Sequence, residues 1–184
     1  MRPAQSVPSD VTTHGSFFSM AHFHYTIMGG LLFAFFAGIY FWVPKMTGFQ
    51  LNERWGKVHF WIMFVSFNST FGPLLVIGFL GMPRRAVTYA GYLQGANTWV
   101  SVSAFVLGAS MLIFLANFVY SLVFARVPAG SNPWASKSIE WQLPSPIPVH
   151  NFDRIPTFGD DPYPYGTDAG VAHRPAVAPA RPTA

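Results

Sequence analysis

The feature that most constrains this chain is an almost uninterrupted apolar run over residues 16–43. A transmembrane helix needs about 20 apolar residues, so this run is long enough to cross a bilayer. Two further runs of similar character cover about residues 58–80 and 99–124. Because backbone polar groups in lipid must be satisfied internally, the three runs predict an all-α membrane protein with three transmembrane helices. Pro44 follows the first run and is expected to end its helix.

The composition agrees with a membrane location. Of the 184 residues, 51% are hydrophobic and 10% are charged, whereas soluble domains carry about 25% charged residues. The net charge is +4, but the cations are scattered among loops rather than gathered in one stripe, which argues against a nucleic-acid partner. The chain has no cysteine, so disulfides, iron–sulfur clusters and thiolate-bound metals are excluded.

The segments on either side of the three-helix region, residues 16–126, have a different character. Residues 1–15 are polar and read as an irregular lead-in. Residues 127–166 are rich in Pro, Ser, Gly and Asp but keep several aromatic residues, so we expect an irregular tail that packs on the rest of a complex. Residues 167–184 are rich in Pro and Ala and are expected to be disordered.

The basic residues near the ends of the apolar runs predict an orientation. One side of the membrane receives the larger group, Lys45, Arg54, Lys57, Arg126 and Lys137. The other side receives Arg2, Arg84 and Arg85. The positive-inside rule therefore predicts that the loop at 44–57 and the tail are cytoplasmic, and that the N-terminus and the loop at 81–98 are outside.

Two histidines, His22 and His24, lie inside the first apolar run and are separated by Phe23. Polar groups in such a run are costly, so a ligand or a partner is expected. Successive residues of an α-helix are about 100° apart, so the two imidazoles point in roughly opposite directions and cannot bind one metal ion together. Two metal centres on opposite sides of the helix are one interpretation. Two histidines hydrogen-bonded within a helix bundle are the other.

Arg84 and Arg85 follow the second run on the predicted outer side, the side on which His22 and His24 also lie. Guanidinium groups bind carboxylates through charge-assisted, often bidentate bonds. A haem held by a histidine near the outer end of the first helix would bring its two propionates to this surface. The alternative is a pair of loop arginines that contact lipid headgroups.

Asn68 lies in the middle of the second run, shortly before Pro73. An amide is costly in lipid, so this helix is expected to face other helices at that position.

His150 and His173 lie in the tail, where surface or packing roles are the expected ones.

Several separate motifs resemble one known family. They are AHFHY at 21–25, GMPRR at 81–85, NPW at 132–134, IEW at 139–141, LPSP at 143–146 and HNF at 150–152. In this order they resemble the C-terminal part of subunit I of the haem–copper terminal oxidases, the cytochrome c oxidases and their quinol-oxidising relatives. The resemblance covers about residues 8–158 and corresponds to the last three of that subunit's twelve transmembrane helices.

The resemblance implies roles for the residues of these motifs. His22 is implied to be the axial ligand of the high-spin haem iron and His24 one axial ligand of the low-spin haem iron, with Phe23 between the haems. Arg84 and Arg85 match the family's propionate-binding pair.

His14 matches a family position that helps to bind a magnesium or manganese ion. Gly15 stands where the family usually has Asp. This departure counts against an intact site, because hard cations need oxygen ligands.

The resemblance also implies a whole-enzyme function. The chain would form part of the catalytic subunit of an aerobic respiratory oxidase in the bacterial plasma membrane, which passes electrons from cytochrome c to O2 and pumps protons. Its cofactors would be two haems, of type a, and the copper B ion. Its partners would be the remaining helices of subunit I, subunits II and III, and membrane lipid.

The implied copper ligands and the second ligand of the low-spin haem belong to the unmatched helices. The chain is therefore expected to be a fragment, one half of a split gene or a truncated frame that is inactive alone, with no catalytic residue beyond the haem ligands. A non-enzymatic, decayed membrane module is one alternative. A quinol-oxidising member of the family is another, although His150 resembles the cytochrome c branch, because quinol oxidases more often carry Tyr at this position.

Overall fold

The computed structural model describes residues 11, 13–136 and 138–152. These residues form three long helices, which we label α1 (Phe17–Thr47), α2 (Glu53–Phe79) and α3 (Gly91–Ala125). Each helix is long and apolar enough to cross a membrane. Among the described residues there is no β-strand beyond two isolated bridges. The prediction of an all-α membrane protein with three transmembrane helices is confirmed.

Helix α1 changes geometry along its length. It begins as an α-helix at Phe17–His24, where the Ser16 hydroxyl accepts a hydrogen bond from the Phe18 N–H and caps the first turn. It continues as a π-helix over Tyr25–Leu32 and returns to α geometry over Phe33–Thr47. π-Helical turns are rare and occur often at functional sites. Here the π segment begins directly after His24.

The expectation that Pro44 ends the first helix is wrong, because α1 continues through Pro44 to Thr47. A proline within a helix removes one backbone donor, and this helix continues past that loss. The helix ends instead at Gly48, which has a φ of 77° and donates its N–H to the Pro44 carbonyl. A glycine in this left-handed conformation is a common helix C-terminus.

The other helices also extend beyond the predicted spans. Helix α2 begins at Glu53 rather than near residue 58, and Asn52 caps it by accepting hydrogen bonds from the N–H groups of Arg54 and Trp55. The α3 helix begins with a 3-10 turn at Gly91–Leu93 rather than near residue 99. Hydropathy marks the part of a helix that lies in lipid, whereas the polar first turn of α2 is defined by the Asn52 cap.

The chain divides into two compact units, of which the first comprises the described residues up to Gly38 together with Asn52–Val119. Within it, α2 and α3 pack along a seam in which buried positions recur at intervals of three or four residues, or of seven, their sum. This is the spacing of left-handed helix packing. The seam residues are Met63, Ser66, Thr70, Leu74 and Ile77 of α2, and Ser103, Leu107, Ser110 and Asn117 of α3.

The polar residues of this seam are hydrogen-bonded. The hydroxyl groups of Ser69 and Ser103 pair across the two helices at 3.0 Å. The Ser66 and Ser110 hydroxyls donate to carbonyls of their own helices, of Ile62 and Leu107. Small hydroxyl residues of this kind allow membrane helices to approach closely.

The second unit comprises Ile39–Leu51 together with the described residues from Tyr120 onward. Trp141 is completely buried there, against Phe41 and Trp42 of α1. The Trp134 indole N–H donates to the Phe41 carbonyl at 3.1 Å. The described part of the tail therefore packs on this chain's own first helix. The expected disorder of 167–184 and the position of His173 lie outside the described residues.

Lys45 belongs to the second unit and is fully buried. Its ammonium group donates to the backbone carbonyls of Ser131, at 3.0 Å, and of Leu143. It also lies 5.3 Å from the centre of the Trp141 ring. Lys45 was expected in a cytoplasmic loop, and it is instead a buried polar residue inside this unit.

Candidate functional site

The candidate site lies in the first unit, around the first two turns of α1. His22 and His24 both lie in the α-helical part of α1, and both are half-buried. His22 stacks over Phe18 of its own helix, with ring centres 6.2 Å apart. His24 stacks instead on Phe71 of α2, with ring centres 4.6 Å apart. The two imidazoles therefore contact different neighbours, as the two-residue spacing predicts.

The protonation of His24 follows from its hydrogen bond. Its Nδ1 lies 2.8 Å from the Met20 carbonyl oxygen. A carbonyl can only accept, so Nδ1 is the donor in this bond, and in the neutral imidazole Nε2 is then the nitrogen with the lone pair. Metal-ligating histidines usually donate their other ring N–H to a carbonyl or carboxylate in this way. His24 therefore fits a haem iron ligand that binds through Nε2.

Phe23 lies between the two histidines in sequence, and its side chain is 44% exposed. Its ring centre lies 4.2 Å from that of His24. An exposed phenyl ring beside a candidate ligand is suited to pack against the apolar face of a bound haem. The residues of this turn are compatible with haem on either side of the helix.

Backbone hydrogen bonds bring the loop after α2 to the start of α1. The Phe17 N–H donates to the Met82 carbonyl at 3.1 Å, and the Arg84 N–H donates to the Gly15 carbonyl at 2.8 Å. Ser16 and Pro83 form an antiparallel bridge between these bonds. The arginine pair predicted to bind propionates thus lies at the end of the unit where the two histidines lie.

The two arginines differ in their environment. Arg84 is half-buried and Arg85 is exposed. Arg85 has a φ of 64°, a left-handed conformation that residues other than glycine adopt infrequently. The two side chains of the pair therefore leave the loop from different backbone conformations, which is compatible with contacts to two separate carboxylates.

His14 is exposed and lies in the turn just before Ser16. Over residues 11, 13–136 and 138–152, no three His, Cys, Asp or Glu side chains come together as a metal-binding group. The magnesium site stays a prediction.

The close approach of α1 and α2 depends on Gly78. A Cβ atom at this position would lie 2.6 Å from the Phe18 Cα and 2.8 Å from the Phe17 carbonyl carbon. Only a residue without a side chain fits there, so Gly78 sets the distance between the histidine turn and α2. No sequence motif distinguishes Gly78, Met20 or Phe71 from their neighbours. Their roles depend on which helix lies next to α1, and no local pattern carries that information.

At the position of Asn68, α2 faces another helix, as expected from the sequence. The Asn68 Oδ1 accepts a hydrogen bond from the Tyr25 hydroxyl at 3.2 Å, and its Nδ2 donates to the Phe64 carbonyl. Both polar ends of the amide are thus used within the protein. The residue after His24 is thereby tied to α2.

Comparison with known proteins identifies the family. A family model described as cytochrome c and quinol oxidase polypeptide I matches residues 4–115. The chain belongs to this family. It is 41% identical over 163 residues to cytochrome c oxidase subunit 1 of Synechocystis sp., an alignment that covers 89% of this chain and 29% of the relative. It is 44% identical over 157 residues to the putative cytochrome c oxidase subunit 1-beta of Streptomyces coelicolor, covering 82% of this chain and 27% of the relative.

The family membership predicted from the motifs is therefore confirmed. The chain spans less than a third of the length of these two relatives. In this family the complete subunit I contains haem and copper. The complete subunit also associates with other oxidase subunits in a membrane.

Proposed function

We propose that this chain provides the last three transmembrane helices of the catalytic subunit of a cytochrome c oxidase. In that subunit His22 would hold the high-spin haem iron, and His24 would be one of the two ligands of the low-spin haem iron. The observation that carries this proposal is the arrangement of the two imidazoles, which contact different neighbours, while the His24 Nδ1–Met20 bond leaves Nε2 for iron.

Haem supplies one-electron redox chemistry and, at the high-spin iron, oxygen binding. The protein's own residues hold and orient it. His22 and His24 fix the two irons on opposite sides of one helical turn. Phe23 lies between the two haems and keeps water from the space that separates them. Arg84 and Arg85 bind the propionates, and the rigid guanidinium fork suits a carboxylate.

The proposed context is a complete respiratory complex. The remaining helices of subunit I supply the copper B site and the second ligand of the low-spin haem, and subunits II and III complete the assembly. Cytochrome c donates the electrons, O2 is reduced to water, and protons are pumped across a bacterial plasma membrane. The N-terminus and the arginine pair lie on the outer side, and the tail lies in the cytoplasm. The haems are of type a.

Absorption spectroscopy of the assembled complex tests the ligand assignment. His24→Ala should abolish the low-spin haem signal, and His22→Ala should abolish or alter the high-spin signal. His150→Ala is the control, because His150 is an exposed histidine of the tail and its replacement should leave both signals unchanged. Persistence of both haem signals in both alanine variants would show that the ligands lie elsewhere.

A further inference from the structure

We propose that Phe71 is a positioning residue that sets the orientation of the His24 imidazole at its haem iron. The inference rests on the proposed ligation of the low-spin haem by His24. The ring planes of His24 and Phe71 are nearly parallel, at 17°, and their centres lie 4.6 Å apart. Phe71 belongs to α2, a different helix from the ligand, and its side chain is buried with 7% exposure.

The imidazole needs a second constraint because its hydrogen bond supplies only one. The Nδ1–Met20 bond fixes one edge of the ring, at 2.8 Å. A ring held at one edge can still rock about the axis of that bond. A phenyl ring stacked on its face limits this motion, and the Phe23 ring, tilted by 35° at 4.2 Å, adds a further contact. Together these contacts define the plane of the imidazole.

Phe71 can serve this role because its own position is fixed. It packs against Phe67, with ring centres 5.1 Å apart, and against the edge of Tyr25, at 6.5 Å. Tyr25 is in turn tied to α2 through its hydrogen bond to Asn68. The plane of the His24 ring is therefore coupled to α2 and not only to its own helix.

The orientation of an imidazole plane has a direct spectroscopic signature. In a low-spin ferric haem with two imidazole ligands, the g values of the electron paramagnetic resonance spectrum depend on the angle between the two ligand planes. A change in the orientation of His24 should therefore shift the largest g value even where the haem is fully bound. A purely structural role for Phe71 would lower stability and leave the g values of the remaining folded complex unchanged.

The experiment compares Phe71→Leu with a matched control in the assembled oxidase. Phe36→Leu is the control, because Phe36 is buried to a similar degree, at 8% exposure, and packs on His59 and Phe114 rather than on His24. We expect a shifted and broadened largest g value in Phe71→Leu and the wild-type value in Phe36→Leu. Phe71→Tyr, which keeps the ring, should restore the wild-type value. Unchanged g values in Phe71→Leu would overturn the inference.

Two further outcomes are informative. If Phe71→Leu does not retain haem, the Phe71→Tyr variant is measured instead. Wild-type g values in Phe71→Tyr support the positioning role. Loss of the low-spin signal in Phe71→Tyr as well overturns it. His24→Ala separates this inference from the proposed function. If His24→Ala keeps the low-spin signal, the ligand assignment itself is wrong. If His24→Ala loses the signal while Phe71→Leu is spectroscopically silent, only the role of Phe71 is wrong.

Discussion

The backbone N–H of Arg84 donates to the carbonyl oxygen of Gly15 over 2.8 Å, and this bond joins the loop after α2 to the turn before α1. Because it is a backbone bond, it fixes the arginine pair relative to the histidine helix independently of the arginine side chains. Substitution of either guanidinium should therefore change the local charge without displacing the loop. This makes the pair suitable for an electrostatic test.

Replacement of Arg84 or Arg85 by Gln should lower at least one haem midpoint potential by tens of millivolts. A nearby positive charge favours the reduced haem, which carries one more negative charge. A loss of about 1.4 kcal/mol of this interaction corresponds to roughly 60 mV for a one-electron couple. Lysine keeps the charge but loses the bidentate fork, so Arg85→Lys should shift the potential less than Arg85→Gln. A redox titration of the assembled complex measures these shifts.

Arg126→Gln is the matched control for this titration. Arg126 is exposed and has a positive φ of 43°, like Arg85, but it follows the other end of α3. Its replacement should leave both haem potentials at their wild-type values. If neither Gln variant of the pair shifts a potential while both haems are present, Arg84 and Arg85 are ordinary headgroup contacts.

Gly78→Ala should destabilise the first unit. The new methyl group would meet backbone atoms of Phe17 and Phe18, which cannot move aside as a flexible side chain could. Overpacking of this kind costs about 1–3 kcal/mol and occasionally more. Thermal unfolding of the detergent-solubilised complex should show a lower Tm.

The control for this substitution is Gly108→Ala in α3, where the added carbon has no atom within 4 Å beyond the adjacent residues and backbone of its own helix. Alanine is favoured over glycine in a helix by about 1 kcal/mol, so this variant should be neutral or more stable. Equal Tm values for the two alanine variants would mean that α1 and α2 can separate at Gly78 without cost.

The parts of this fold and site that the sequence predicts are those encoded locally. Three apolar runs specify three helices because a bilayer requires that length, and the His22–His24 spacing specifies opposite directions because of helical geometry. The helix ends were predicted less well. The sequence predicts an end at Pro44, but α1 continues to Thr47 and the left-handed conformation of Gly48 terminates it.

The remaining features depend on contacts between segments distant in the sequence. Gly78 is one of several glycines near apolar runs, and only its contact with Phe18 distinguishes it. Phe71 is one of 19 phenylalanines, and only its stacking on His24 indicates a role in orienting a ligand. Asn68 was predicted to face another helix, yet its partner, Tyr25, could not be identified without the arrangement of α1 and α2.

The electron donor is expected to be cytochrome c. The basis is the sequence His150-Asn151-Phe152, where quinol-oxidising relatives more often begin with Tyr. Oxygen consumption by the purified complex should be supported by reduced cytochrome c. Turnover with a quinol and none with cytochrome c would assign the chain to the quinol-oxidising branch instead.

Lys45→Met should release the tail from the end of α1. Lys45 donates to the carbonyls of Ser131 and Leu143 in the second unit, and hydrogen bonds from a charged donor contribute about 1.5–3 kcal/mol each. Methionine fills a similar volume but leaves the carbonyls of Ser131 and Leu143 without this donor, and it removes the cation that lies over Trp141. Chymotrypsin should then cleave after Trp141, which is completely buried in the wild type, at an increased rate.

Lys57→Met provides the comparison for this proteolysis, because it removes the same charge from a lysine in a solvated setting. The Lys57 side chain is 70% exposed and pairs with Glu53 at 2.8 Å within one turn of α2. Exposed pairs of this kind contribute about 0.3–0.5 kcal/mol, so the rate of cleavage after Trp141 should not change. A faster rate in Lys45→Met alone would identify the buried lysine as the contact that holds the tail. Equal rates in both variants would mean that the aromatic packing of Trp141 on Phe41 and Trp42 suffices without it.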